Sequence, residues 1–229
     1  MQGNESPNPG RDGTQATELI RRRWLSDSVF ELELSRPQSF TFKAGHTIQL
    51  FHENISRYYS LVSSPGDPTL RICLNHIKLG AFTPMLASAK TGTRFTFTGP
   101  HGYFNFSPSP RPPVFIATDT GIAPFVSMAR SGIKGFTLLQ GAHYSKGLYY
   151  QDQVRPCAER YLECVWDTPD EPASSELFHA RMVALLVEHL KKGSYDFYLC
   201  GWQQMIRDVT RLIDHRFSDS RLYIEVFYS

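Results

Sequence analysis

From about residue 17 to residue 106 the chain is built of short runs in which apolar and polar residues alternate or β-branched residues cluster. SVFELEL, HTIQLF, YYSLVSS, LRICLNH and TRFTFTG are such runs, parted by turn clusters such as Ser-Arg-Pro, Ser-Pro-Gly-Asp-Pro and Lys-Thr-Gly. Alternation buries one face of a strand, and short strands at this spacing predict an antiparallel barrel or sandwich. AFTPMLASA, residues 81–89, is the one helix-like interruption. SPSPRPP, residues 107–113, holds too many prolines to pair or coil and reads as a linker. Beyond it the rhythm changes. VFIAT, GFTLLQGA, YLECVW, YDFYLCG and RLYIEVF predict strands. Between them lie APFVSMARS, a polar helical stretch from about Gln151, FHARMVALLVEHLKK and QQMIRDVTRLIDHRF, with apolar residues at helical spacing. Strands alternating with helices imply a parallel sheet covered on both faces. The expected organisation is an α+β chain of two domains: a leader over 1–14, an antiparallel β-barrel over 15–110, and an α/β parallel-sheet, nucleotide-binding-like domain over 111–229.

Composition then narrows the function. A chain of 229 residues can bury a core, and a formal net charge of +2 without a basic stripe argues against a nucleic-acid binder. No apolar run is long enough to span a bilayer. MQGNESPNPGRDG lacks the apolar centre of a secretory signal and reads as a disordered leader. Cys73, Cys157, Cys164 and Cys200 are far apart and form no C-x-x-C pair, so zinc and iron–sulfur spacings are absent. Free thiols in a reducing cytoplasm are expected, and any redox chemistry calls for an organic cofactor. The histidines form no metal-binding cluster, so no metal is expected. The arginines at 21–23 read as a solvated strand edge, with a docking patch as the alternative.

In RYYS, residues 57–60, alternation puts Arg57 and Tyr59 on one face and Tyr58 and Ser60 on the other. A guanidinium fork beside an aromatic ring suits a ligand that is part phosphate and part flat heterocycle. Its plainer reading is a surface arginine next to a core tyrosine. In GAFTPML, Gly80 permits close backbone approach, and Thr83 can cap a helix or donate to an anion. GPHGYF, residues 99–104, reads as a turn between strands.

IATDTGIAPF, residues 116–125, reads in two ways. Asp119-Thr120-Gly121 is the tripeptide with which an aspartic protease presents a carboxylate. Thr120, Gly121, Ile122, Ala123 and Pro124, straight after an apolar run, instead suggest a strand turning into a helix whose N-terminus attracts a pyrophosphate. The protease mechanism needs two carboxylates sharing a proton. The chain holds one such tripeptide, in a strand–helix setting, so the phosphate reading leads and a homodimeric protease is the remote alternative.

RYYS, GAFTPML and GPHGYF in this order, followed by DTGIAP, YLCGWQQM and LYIEVFYS, resemble the ferredoxin–NADP⁺ reductase family of FAD- and NAD(P)-binding oxidoreductases, bacterial-type members included. The resemblance implies that Arg57 holds the FAD pyrophosphate and Tyr59 stacks on the isoalloxazine, with Tyr58 beside it. It implies that Ser60 hydrogen-bonds near flavin N5, and that Gly80, Ala81, Phe82 and Thr83 offer donors to the phosphates. Residues 120–124 would seat the dinucleotide, Cys200 would face the nicotinamide, and Gly201 would let the cofactor lie against the backbone. Glu225 would stand near both ring edges, making Ser60, Cys200 and Glu225 the candidate catalytic set. Phe227 matches an aromatic that covers the flavin in plant-type members, although Tyr228 and Ser229 follow it here.

The implied reaction passes hydride from NADH or NADPH to FAD and single electrons to a ferredoxin- or flavodoxin-like protein or an oxygenase component. A flavin-holding relay or regulatory subunit is the second reading. Asp119, where the family commonly has glycine, is the feature in its favour. Its carboxylate is expected to cap the N–H groups near Ile122 and Ala123 and to weaken dinucleotide binding. Asp167, with Asp170 and Glu171 behind it, favours NADH, because an acid repels a 2′-phosphate; Arg181 and Lys146 keep NADPH open. A monomeric cytoplasmic protein is expected.

Overall fold

The computed structural model describes residues 13–165 and 175–226. The expected leader therefore lies outside the described residues except for Gly13 and Thr14, which lead into the first strand.

Six strands make the first sheet: β1 (Gln15–Trp24), β2 (Val29–Ser35), β3 (Thr47–His52), β4 (Ile55–Ser60), β5 (Thr69–Asn75) and β6 (Arg94–His101). All neighbours pair antiparallel, in the order β4-β3-β6-β1-β2-β5. Just past β4, a Leu61–Ile72 bridge and the Val62 N–H to the Arg71 carbonyl (2.7 Å) join the outer strands and close a barrel. Closure leaves few unpaired edges. The alternating residues Phe30, Leu32, Leu34, Ile48, Leu50, Leu70, Ile72, Phe95 and Phe97 fill its interior. The short helix α1 (Thr83–Ser88) adds Leu86 to that core, with Phe82 just ahead of it.

The arginines of β1 are spent within the barrel. Arg21 and Arg23 reach Glu33 and Glu31 at 3.0 and 3.4 Å, and Arg22 donates to the Ala89 carbonyl at 2.8 Å. β4 starts at Ile55 and stops at Ser60, earlier at both ends than the run YYSLVSS suggests. Leu61, Val62, Ser63 and Ser64 stay buried while leaving the ladder.

The second sheet is wholly parallel, with the order β11-β10-β7-β8-β9. Its strands are β7 (Pro113–Thr118), β8 (Phe136–Ala142), β9 (Ala158–Val165), β10 (Asp196–Gly201) and β11 (Arg221–Val226). One face packs on α4 (Ser175–His189) and α5 (Gln203–Arg216) through Val114, Ile116, Leu139, Phe197 and Leu199. The other face packs on α2 (Ala123–Arg130) and α3 (Gln151–Val154), and through Phe115, Tyr198 and Cys200 belongs to a cluster that also holds Val29, Val62 and Phe104 of the barrel half. Phe104 sets its ring 5.7 Å from Phe125 and 5.9 Å from Tyr198, so the two sheets share one aromatic core. β7 and β10 are parallel neighbours, and from them the strand order proceeds to β8 and β9 on one side and to β11 on the other. That is the switch point at whose carboxyl end open α/β sheets bind ligands.

Candidate active site

A cavity of about 980 Å³ opens at that switch point, between barrel and sheet. Small-molecule and cofactor sites commonly span about 300–1,000 Å³, so this one accepts a large ligand. The barrel contributes Arg57, Tyr58, Tyr59 and Ser60 from β4, and Gly80, Ala81, Phe82 and Thr83 from the approach to α1. Tyr59 and Phe82 lie nearly parallel, 10° apart with centroids 6.4 Å apart, and build a flat aromatic wall. Burial pushes the Tyr59 phenol far above its ordinary value, against the pull of Arg57. The Arg57 guanidinium donates to the Ser56 carbonyl at 2.8 Å and forms no ion pair among the described residues. Thr83 Oγ1 accepts the Ile77 N–H at 2.9 Å, so its hydroxyl shapes the loop that leads into α1.

Ser60 ends β4 and Glu225 lies on β11, 165 residues apart in sequence. The Ser60 hydroxyl donates to Glu225 Oε1 at 2.6 Å, joining the two halves at the cavity wall. Burial raises the Glu225 carboxyl to about 7, with the Ser60 bond pulling the other way. Its second oxygen, Oε2, is buried with no hydrogen-bond partner among the described residues.

The turn after β7 is built by interlocked backbones. Gly201 has φ of +135°, and a Cβ there would come within 2.9 Å of the Thr118 carbonyl oxygen. A Cβ on Gly121 would meet the Cys200 carbonyl carbon at 2.7 Å. Only glycine at both positions lets the ends of β7 and β10 nest. Thr118 Oγ1 accepts the Trp202 N–H at 2.9 Å, and Asn75 Nδ2 of β5 donates to Thr120 Oγ1 at 3.4 Å.

Asp119 takes φ of +47°, the left-handed conformation a glycine would adopt. Its carboxylate accepts the His143 N–H of the loop after β8, and burial raises it to about 6. The helical turns that begin here carry no side-chain cap, so the expected bond to the Ile122 and Ala123 N–H groups is replaced by one across to the next strand's loop.

The cavity thus gathers Arg57, Tyr58, Tyr59, Ser60, Gly80, Ala81, Phe82, Thr83, Thr120, Gly201 and Glu225. Gly121, Ile122, Ala123 and Pro124 lie buried just behind its wall. The Cys200 side chain is fully buried in the shared core, its thiol pushed well up by burial and by Glu225. Asp167 and Phe227 lie outside the described residues. Cys73, Asn75, His101, Tyr103, Trp202 and Tyr223 line the cavity too, without a site role given to them from sequence, although His101, Tyr103, Trp202 and Tyr223 fall within the quoted motifs. Their membership depends on which strands neighbour one another, and that is invisible in local spacing. No cluster of His, Cys, Asp or Glu able to hold a metal occurs among the described residues.

The donor set fits the two cofactors implied by the motifs. A flat aromatic wall beside the Arg57 guanidinium, which forms no ion pair among the described residues, suits FAD, and the glycine-lined turn at the switch point suits a dinucleotide. Glu225 lines the same cavity.

Comparison with known proteins is consistent with this geometry. Residues 17–106 match the Oxidoreductase FAD-binding domain family and residues 115–211 the Oxidoreductase NAD-binding domain family. The chain is 31% identical over 153 residues to a ferredoxin–NADP reductase B of Sorangium cellulosum, covering 61% of this chain and 63% of that one. It is 26% identical over 206 residues to the toluate 1,2-dioxygenase electron transfer component of Pseudomonas putida, covering 83% and 60%. A flavodoxin/ferredoxin–NADP reductase of Escherichia coli is 27% identical over 207 residues, covering 80% and 83%. The chain thus spans 60 to 63% of the length of the first two relatives. A ferredoxin NADP⁺ reductase of Neisseria gonorrhoeae, solved with bound FAD and NADP, shares the fold with a TM-score of 0.77 at 20% identity, covering 95% of this chain and all of that one.

Proposed function

From the premise that the chain belongs to the ferredoxin–NADP⁺ reductase family, we propose that it is an FAD-dependent NAD(P)H oxidoreductase that delivers single electrons to an acceptor protein. The observation that carries this reading is the Ser60–Glu225 bond, because it ties a flavin-type seat on the barrel to the sheet that carries the dinucleotide-type turn. When bound, FAD and the nicotinamide supply hydride transfer and the conversion of a two-electron donor into one-electron steps.

The chain's own residues supply binding, orientation and proton control. Arg57 offers parallel N–H groups to phosphate oxygens, and the Tyr59–Phe82 wall offers a face for a flat ring. Thr120 lines the cavity at the turn before α2, where the field of a helix N-terminus favours an anionic diphosphate. Ser60 holds Glu225 in place, and Glu225, raised to about 7, can carry or release a proton near neutrality beside the ring edges. Cys200 closes the floor behind Gly201 from within the core.

NADH is the preferred donor on the acids 167, 170 and 171 that follow β9 in sequence. The relatives named for NADP point the other way for those proteins. Asp167→Arg is expected to shift the ratio of kcat/KM values toward NADPH by about tenfold; an unchanged ratio sinks the assignment. The acceptor is a ferredoxin, a flavodoxin or an oxygenase component, the classes named among the relatives. The four cysteines are all free, as befits a reducing cytoplasm, and among the described residues no helix is long and apolar enough to cross a membrane. We take the working unit to be a monomer. The test of function is reduction of ferricyanide by NADH or NADPH with the FAD-loaded protein. Turnover that needs FAD supports the reductase, whereas flavin uptake without turnover favours a relay.

A further inference from the structure

How the two seats are held apart goes beyond the reading above and rests on it. β4 carries Tyr59 and Ser60, and the chain continues through buried residues to Ser63. α2 starts at the dinucleotide turn and carries Ser127 in its middle. Ser127 and Ser63 are both fully buried, and Ser127 Oγ donates to the Ser63 carbonyl at 2.6 Å. The residues around Ser127 on the helix, Phe125, Val126 and Met128, all pack in the apolar core. Neither helix propensity nor core packing calls for a serine there, and a helical serine commonly bonds back to its own helix. This one spends its proton on the other half of the molecule.

The far end of α2 is tied to the same stretch. Arg130 Nη2 contacts both Asp67 carboxylate oxygens at 2.8 Å, and its Nε reaches Oδ2 at 3.2 Å. Asp67 lies between β4 and β5, where Arg36 also grips the Pro65 and Asp67 carbonyls at 2.7 and 2.8 Å. A third tie comes from the neighbouring helix. Tyr150, which precedes α3 with φ of +59°, donates its hydroxyl to Glu31 Oε2 of β2 at 2.8 Å. Tyr150 and Glu31 are both buried, and Tyr149 next to it pairs with the Ser26 hydroxyl at 2.9 Å. A buried carboxylate and a left-handed tyrosine are each costly unless the surroundings hold them. Within the barrel Glu31 also meets Arg23 and Arg71 at 3.4 and 3.9 Å, so Tyr150 adds a tie across the seam to a carboxylate that the barrel holds in place.

We propose that Ser127, Arg130 and Tyr150 are positioning residues that fix α2 and its dinucleotide turn against β4, and so set the spacing between the nicotinamide and flavin seats. The physical reason is the steepness of group transfer with placement: a shift of about 1 Å can cost about a hundredfold in rate. None of the three lines the cavity, and they act through the elements they hold.

The test uses the full chain loaded with FAD, as wild type and as Ser127→Ala, Arg130→Gln and Tyr150→Phe. Flavin bleaching is followed at rising NADH and NADPH, and amide hydrogen exchange is followed without dinucleotide. The saturating bleaching rate is expected to fall about tenfold or more while the half-saturating dinucleotide concentration stays within about twofold. Exchange is expected to quicken over residues 119–130 and not in β2 or β6, and Arg130→Lys is expected to restore part of the rate. Arg130→Gln and Tyr150→Phe keep the proposal testable if Ser127→Ala does not fold, since Arg130 is exposed and Tyr150→Phe removes only a hydroxyl. Saturating rates equal to wild type in those two variants overturn the proposal, as does faster exchange spread evenly over the chain. A wild type that neither dinucleotide bleaches overturns the two-seat reading itself.

Discussion

Glu225 has one carboxylate oxygen on Ser60 and the other without a partner among the described residues, and that imbalance is measurable as a pH dependence. Burial raises its carboxyl from 4.5 to about 7. Because the folded value is the higher one, the protonated form adds stability that is complete below the unfolded value and is lost as pH rises through the folded value. The urea midpoint should therefore drop between about pH 5 and pH 8, and Glu225→Gln should flatten that drop. A slope left intact by Glu225→Gln contradicts the assignment. Asp119, raised to about 6 from 3.8, adds a loss of the same sign at lower pH. Its left-handed backbone fits glycine, so Asp119→Gly should keep the turn and remove a buried negative charge near the diphosphate. Dinucleotide affinity, read by titration calorimetry, should rise a few-fold; an unchanged or lower affinity refutes this. Asp119 was legible as an oddity in sequence, but its partner was not, because His143 becomes its neighbour only when β8 pairs with β7.

At the scale of elements, period and punctuation carried most of the fold. VFIAT and YDFYLCG, with no polar face to spare, became the central strands of the parallel sheet, and the proline run before β7 marked where barrel gives way to sheet. The long strand β1 was less legible, since its arginines look like solvent-facing charge until Glu31 and Glu33 arrive from β2. The end of β4 was blurred because the buried residues after it are as apolar as a strand. The nesting of β7 and β10 is a property of two elements and could not be read from either alone. Gly201→Ala should cost more than about 1 kcal/mol, since the new Cβ meets Thr118 in a backbone region closed to alanine. The same variant should lose dinucleotide binding. A melting temperature and affinity equal to wild type would show that the turn has room the structure denies it.

For the whole molecule, the decisive property is that neither half owns the site. The barrel brings the aromatic wall and Ser60, while the sheet brings the glycine turn and Glu225, and the shared core of Phe104, Phe125 and Tyr198 keeps them face to face. The motifs announced the seats separately, and only the chain's long-range pairing shows that they open into one cavity. That single cavity is the central claim, and an anaerobic titration of the FAD-loaded protein tests it most directly. A hydride carries both electrons a flavin accepts, so about one equivalent of NADH or NADPH should bleach the visible flavin absorbance completely. A yellow protein whose colour persists through an excess of both donors, or a chain that takes up no FAD, would contradict it.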